Sequence, residues 1–400
     1  MPDSPAPIEI DLLSGTFYQA GPLDAYRWMR ENAPVYYDAE REIFGVTLHE
    51  DVLTVSKRSD LFCSGQSSRP DAPPIPSMIN MDDPVHKRRR NLVNRGFTPR
   101  RVEEQELKVR EICNALVDAV QEKGECEFVR EIAAPLPMIL IGDMLGVAPE
   151  DRDQLLRWSD ELLASPTTAE GADALQDAFL GFSQYAMEVV RDRRGRPPQD
   201  DLISILCHAE VDGERLDDES IVQESLLILI GGDETTRHVI SQGMETLIRN
   251  PGQRKKLVEG PANIIVAVEE LLRWVSPIKN MNRTATRDTE LRGCKIREGQ
   301  KLLLLYASAN RDEAVFSQPD RFDVGRSPNP HLAFGGYGTH FCLGAPLARL
   351  ELRVMFDVLM RRLPDLELAS EDPLPMRASN FIVGPEAMPV RFQPRRTPHA

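Results

Sequence analysis

The 400-residue chain is 41% hydrophobic and 28% charged, which is enough to bury a large core. Its 48 Lys and Arg face 63 Asp and Glu, for a formal charge of −15. That balance speaks against binding nucleic acid or docking on anionic lipid, both of which draw on cationic surface. A local basic patch facing an acidic partner is still allowed. Cys63, Cys113, Cys126, Cys207, Cys294 and Cys342 are scattered, with no CxxC and no zinc-finger spacing, as expected in a reducing compartment. The opening MPDSPAPIEIDLLSG has no cationic or apolar leader segment, and the runs SLLILI and KLLLLYA are too short to span a bilayer. The expectation is a cytoplasmic protein with no membrane anchor.

In chain order, RPDAPPIP (69–76) reads as a loop. In MDDPVHKRRRNLVNRGF (81–97), His86 and Arg90 are four apart, so they share a helix face and can clamp a carboxylate together. Lys87, Arg88 and Arg89 read as a solvated basic face. Residues 100–122 and 171–194 carry apolar positions at helical spacing, and RRGRPPQDD (193–201) is a loop. Residues 216–250 form one long helical pattern opening on acidic LDDES, about 50 Å in length at the usual rise. Within it, SLLILI runs into GGDETT (231–236). This is either a polar turn between two shorter helices or a helix opened so that a planar ligand can approach, with Glu234 and Thr235 as a proton path.

A further helix covers 261–274, where Glu270 and Arg273 are three apart in AVEELLRW. PDRFD (319–323) offers Arg321 as a second arginine for the same carboxylate. NRTAT, ELRGCKI and KLLLLY read as short strands, and 345–362 as a helix. The class is mainly α with a minor β part. Without repeats or a convincing linker, residues 1–400 read as a single domain.

The stretch FGGYGTHFCLG (334–344) precedes that last helix. It lacks the third glycine of a dinucleotide fingerprint, and Cys342 has no partner cysteines for zinc. A nucleophile with His340 two residues away has poor geometry. A buried structural cysteine stays open, as does a metal-bound thiolate. The loop glycines would pass close under a flat cofactor, and the following helix N-terminus would lower the thiol pKa.

The ordered set GGDETT, ELLR, PDRF and HFCLG resembles the cytochrome P-450 superfamily over nearly the whole chain. The resemblance implies a cytochrome P-450 fold with haem b (iron protoporphyrin IX) between the long central helix and the cysteine loop. It implies Cys342 as the axial thiolate, Glu234 and Thr235 as the acid–alcohol pair that guides protons to dioxygen, and Glu270, Arg273 and Arg321 as a structural ion network. His86, Arg90, Arg283 and His340 fall at haem-propionate positions. One departure is the spacing from Phe334 to Cys342, which is one residue longer than the family pattern, the extra residue falling before Gly338.

Longer phrases such as IPSMINMDDPVHKRRRNLVNRGFT and LRWVSPIKNMNRTAT are similar to the bacterial branch that oxidises the terminal side-chain methyl of cholesterol and cholest-4-en-3-one. That implies a sterol taken to the alcohol, with the acid as a further product. Electrons would come from a ferredoxin and its NAD(P)H-dependent reductase, with Arg88 and Arg89 as docking residues. Met78, Ile79, Leu226, Ile230, Val275, Met281, Phe381 and Ile382 are the expected pocket positions. A fatty acid or terpenoid substrate stays open, as does a non-catalytic haem protein.

Overall fold

The long apolar pattern does not break at GGDETT. In the computed structural model, which describes residues 9–162, 169–210 and 213–396, Asp218–Arg249 form one continuous helix of 32 residues, the central helix. Asp217 caps it, accepting the Ser220 N–H at 2.7 Å, and Asp218 and Glu219 sit at the positive end of the dipole. The polar turn between two helices is therefore not formed. The helix stops at Asn250, where Pro251 disfavours continuation.

Helices Pro135–Leu145, Ala169–Arg194, Ile264–Val275 and Ala345–Arg362 pack around the central one. One apolar cluster links them, running from Leu136 and Val190 through Leu229 and Leu247 to Leu271 and Val354. Each such side chain contributes about 1.5–3 kcal/mol relative to leaving it in water. Packing is close at Gly243, where a Cβ would lie 3.1 Å from both Leu271 and Phe356. The helical stretch expected at 100–122 divides into Pro99–Glu104 and Glu106–Gln121. Among the described residues no helix is long and apolar enough to cross a membrane.

The minor β part is mainly a five-stranded sheet, ordered Val35–Asp38, Ile43–Val46, Lys301–Leu305, Asn280–Ala285, Phe62–Cys63. Ile43–Val46 runs parallel to Lys301–Leu305, and the other pairings are antiparallel. Phe44, Val46, Leu302 and Leu304 give it a separate apolar core. ELRGCKI folds as a hairpin of Thr289–Leu291 with Cys294–Ile296.

The segment from Asn310 to Asn329 has almost no regular structure and is held by one buried carboxylate. Arg273 Nε and Nη2 donate to Glu270 at 2.7 and 2.9 Å, and Arg326 Nε reaches the same carboxylate at 3.0 Å. The Asp323 N–H (3.0 Å) and Asn329 Nδ2 (3.1 Å) complete the set. Arg273 Nη1 also donates to the carbonyls of Asn310 and Pro319. Arg321, expected in this network, is not in it. Its side chain stays at the surface on Gln318, and only its carbonyl takes part, accepting from Arg326. The chain turns between the two residues, so Arg326 points inward.

Removing one charge from such a buried network strands the others, which costs about 3–5 kcal/mol. Glu270→Gln is expected to lose that much in urea unfolding, whereas Arg321→Gln should stay within about 0.5 kcal/mol of wild type.

Candidate functional site: the Cys342 loop and the central helix

The cysteine loop closes on itself. The Cys342 N–H donates to the Phe334 carbonyl at 3.0 Å. The additional residue is accommodated between them, where Gly335 and Tyr337 have φ of 93° and 56°. Tyr337 stacks on Phe341 at 5.0 Å and is half exposed, so the chain bulges outward there. Phe334 stays tied to Cys342 through the backbone, and its ring lies 4.6 Å from the Arg349 guanidinium. Arg349 Nε in turn bonds Glu269 at 2.7 Å, and His331 Nε2 lies 3.0 Å from the same carboxylate. Burial would raise the Glu269 pKa, but Arg349 and His331 outweigh it and hold it at about 2. Adjacent glutamates, Glu269 and Glu270, thus fix the loop and the segment leading into it.

The loop glycines do not simply pass under a flat group. A Cβ at Gly338 would collide with the Ser56 carbonyl, and one at Gly336 with the Ser56 side chain. They allow close approach to the helix His49–Lys57. Gly344, beside Cys342, faces open space.

Nor is the thiol acidic by itself. Burial pushes the Cys342 pKa up, and the N–H groups of Gly344 and Ala345, with Arg90, offset this only in part. The Cys342 residue is nevertheless exposed. A thiolate here needs a cation at sulfur, the role a bound metal plays.

Beside the cysteine lies a cluster of positive or protonatable groups. The rings of His86 and His340 are 4.1 Å apart. The His340 pKa is pulled down to about 2, first by burial and then by Arg283, His86 and Arg90. Arg283 is buried, and Nη1 donates to the Asn282 carbonyl at 2.7 Å. Arg90 donates to the Phe341 carbonyl. His86 Nδ1 is 3.3 Å from Asp83, while its Nε2 is buried without a partner. Asp82, the acid whose charge reaches Arg283, is already engaged by the N–H groups of Ser64 and Gly65. Donors of one sign and an orphaned buried nitrogen fit a dianionic ligand adjacent to Cys342. Haem, with iron for the thiol and propionates for the cluster, meets both demands.

On the central helix, Gly231 is exposed, with open space where a Cβ would stand, while Gly232 packs against Ile141. Half-buried Thr235 donates its hydroxyl back to the Gly231 carbonyl at 2.8 Å. Glu234 is fully buried and engaged by Arg237 and Arg377. Burial alone would raise its pKa, but neighbouring His238 and the two arginines bring it to about 2. At 3.7 Å the His238 contact is too long for a hydrogen bond, and burial lowers the His238 pKa, so the arginines are the partners that matter. Sequence reading missed Asp233, whose pKa burial lifts to about 7 while Ser159 donates to it at 2.9 Å. Three consecutive side chains therefore hold protons with very different strength.

The pocket positions are spread over several elements. Met78, Leu226 and Val275 belong to the main apolar cluster, with Ile230 packed on it. Ile79 is half-buried in the Met78–Asn80 turn. Met281 lies on the sheet side. Phe381 and Ile382 run beside the end of the Glu270 helix. The Lys279 N–H donates to the Phe381 carbonyl at 2.8 Å, and Ile382 bridges Ile278. Arg69 covers the Phe381 ring at 4.1 Å. Lys279, also unforeseen, curls onto the carbonyls of Val275 and Ser276, and burial draws its pKa down to about 7.

The family model described as Cytochrome P450 matches residues 163–267 and 265–390. A Steroid C26-monooxygenase of Mycolicibacterium smegmatis is 50% identical over 390 residues, covering 96% of both chains. A Methyl-branched lipid omega-hydroxylase of Mycobacterium bovis is 40% identical over 92% of this chain and 90% of its own. A crystal structure from Bacillus megaterium in complex with corticosterone superposes with a TM-score of 0.86 at 34% identity, covering 94% of this chain and 99% of that one. A cysteine loop and a carboxylate-seeking cluster beside a continuous central helix, in a chain so closely matched, lead to one conclusion: the chain belongs to the cytochrome P450 family.

Proposed function

We propose that this protein hydroxylates the terminal side-chain methyl of a sterol, cholesterol or cholest-4-en-3-one, with the acid as a further oxidation product. The observation that carries the substrate is the 50% identity, over 96% of both chains, to a relative named for steroid C26 oxidation. The corticosterone complex of the Bacillus megaterium neighbour supports a steroid-sized pocket in this architecture. The methyl-branched lipid relative favours a second reading, oxidation of a branched fatty chain. Both readings place a chain-end methyl at the reacting centre.

When bound, haem with a thiolate ligand supplies dioxygen activation and O–O cleavage. The chain's own residues do the rest. Cys342 would hold the iron, and Phe334, through its carbonyl on the Cys342 N–H and its ring under Arg349, keeps the loop in place. His86, Arg90, Arg283 and His340 would receive the propionates. The Thr235 hydroxyl, half-buried on the central helix, donates to the Gly231 carbonyl and would hold a proton for the bound group on turning away from it. Glu234 is ionised and paired with arginines, so it can pass a proton on only by exchanging partners. The apolar residues Met78, Ile79, Leu226, Ile230, Val275, Met281, Phe381 and Ile382 exclude water and bind by buried area, at roughly 25 cal/mol per Å².

We assign the electron supply to a ferredoxin and its NAD(P)H-dependent reductase in the cytoplasm. Lys87 and Arg88 are exposed and suit an acidic partner. Arg89, grouped with them on sequence, turns inward instead, 3.6 Å from buried Glu224. It is withdrawn from any docking surface.

Three measurements test these assignments. The reduced protein is expected to give a thiolate-type carbon monoxide spectrum that Cys342→Ser abolishes. Thr235→Ala should keep its haem and consume reductant while releasing hydrogen peroxide, with product per reductant falling on the order of 10²-fold. Ferric spin-state titration should show a shift with cholest-4-en-3-one at lower concentration than with any fatty acid. The reverse order would move the assignment to branched lipids.

A further inference from the structure

The turn that carries two of the pocket residues is held by a side chain with no counterpart in the reading above. Glu224, nearly two turns into the central helix, is fully buried. Its Oε1 accepts the Met78 N–H at 2.9 Å. The same oxygen is 3.6 Å from Arg89 Nη1 on the helix Val85–Val93, which also bears His86 and Arg90. Three further buried polar atoms nearby in sequence lack partners: Glu224 Oε2, the Ser77 hydroxyl and Gln223 Oε1. A carboxylate is a costly group to place in such a junction, and a simple packing role would be met by an apolar residue.

We propose that Glu224 is a positioning residue that latches the Met78–Asn80 turn onto the central helix and, through Arg89, onto the helix bearing His86 and Arg90. The pocket wall at Met78 and Ile79 then opens and closes with this one side chain. The assignment of that wall to the substrate rests on the function proposed above, whereas the latch itself rests on the contacts of Glu224.

The charge state of the latch sets its strength. Burial lifts the Glu224 pKa to about 7, and Arg89 and the Met78 N–H offset this only in part. Arg89 is the charged group that faces it from the neighbouring helix, and Arg89 also acts on Asp217 at the foot of the central helix. The Met78 turn presents a main-chain N–H. Opening the turn hydrates the carboxyl and returns its pKa toward the ordinary 4.5. The closed form therefore binds the proton more tightly. Protonation gives up attraction to Arg89 but removes the larger cost of burying the charge, so closure is strongest at acid pH and weakens as pH rises to about 7.

Hydrogen exchange at the Met78 amide in the haem-loaded protein tests this, after correction for the intrinsic pH dependence of exchange. In wild type, protection at pH 6 should exceed that at pH 8 by about tenfold. Glu224→Gln, which keeps the acceptor and removes the charge, should hold the acid-pH protection at both. Glu224→Ala should lose it at both and weaken the cholest-4-en-3-one spin shift about tenfold. Undiminished protection in Glu224→Ala would overturn the latch, and equal pH dependence in Glu224→Gln and wild type would overturn its control by the Glu224 charge. Absence of any sterol shift in wild type would overturn the sterol assignment instead, with the exchange data still deciding the role of Glu224.

Discussion

The coil leading to the Cys342 loop depends on how Glu270 is satisfied. A buried carboxylate costs several kcal/mol to desolvate, and one partner rarely repays that. Here two arginines, a main-chain N–H and an amide all donate to it. The donors come from the Glu270 helix and from the coil after Asn310, so meeting the carboxylate's demand is the same event as folding that coil. Asn310 extends the arrangement by bonding Ser276 at the helix end and the Leu332 N–H at the entrance to the cysteine loop. A segment with little helix or strand thereby becomes as firmly placed as the core.

The site separates charges by sign. Around Cys342 the groups are cationic or protonatable and drive one another's proton affinity down, as at His340. Across the central helix the acids are paired or pushed toward neutrality, as at Glu234 and Asp233. The thiol itself is not pre-ionised. The protein supplies an environment in which a cation at sulfur and an anion at the histidine–arginine cluster are both wanted. A cofactor carrying both satisfies two unfavourable burials at once.

Much of this was legible in the chain. The central helix, the Glu270 helix and the last long helix follow from apolar spacing, and Glu270 with Arg273 from their separation of three. What was not legible depends on where the backbone turns. Arg326 rather than Arg321 reaches Glu270 because of the path through Asp323 and Gly325, and no periodic signal reports that path. Arg89 sits in a run of basic residues yet points inward, since helical position rather than composition decides its neighbours. Asp233, Glu224 and Lys279 are ordinary polar residues in sequence, and only burial gives them unusual proton affinity. The GGDETT segment was ambiguous because glycine's intrinsic helix cost is small beside the packing of flanking side chains.

The glycines of the cysteine loop have a consequence in time as well as space. Gly336 and Gly338 lie against Ser56, at the end of the helix His49–Lys57. The other end of that helix is tied to the coil before the loop, through the His49 N–H on Asp312 and His49 Nε2 at the Pro330 carbonyl. A helix from the first sixth of the chain is thus a splint along a loop from the last sixth. The splint is synthesised early and finds its loop only when nearly all of the chain is present. Such long-range closure is slow. Capture of the cofactor then becomes a late event in biogenesis, and a haem-loaded molecule is one whose two ends have already met.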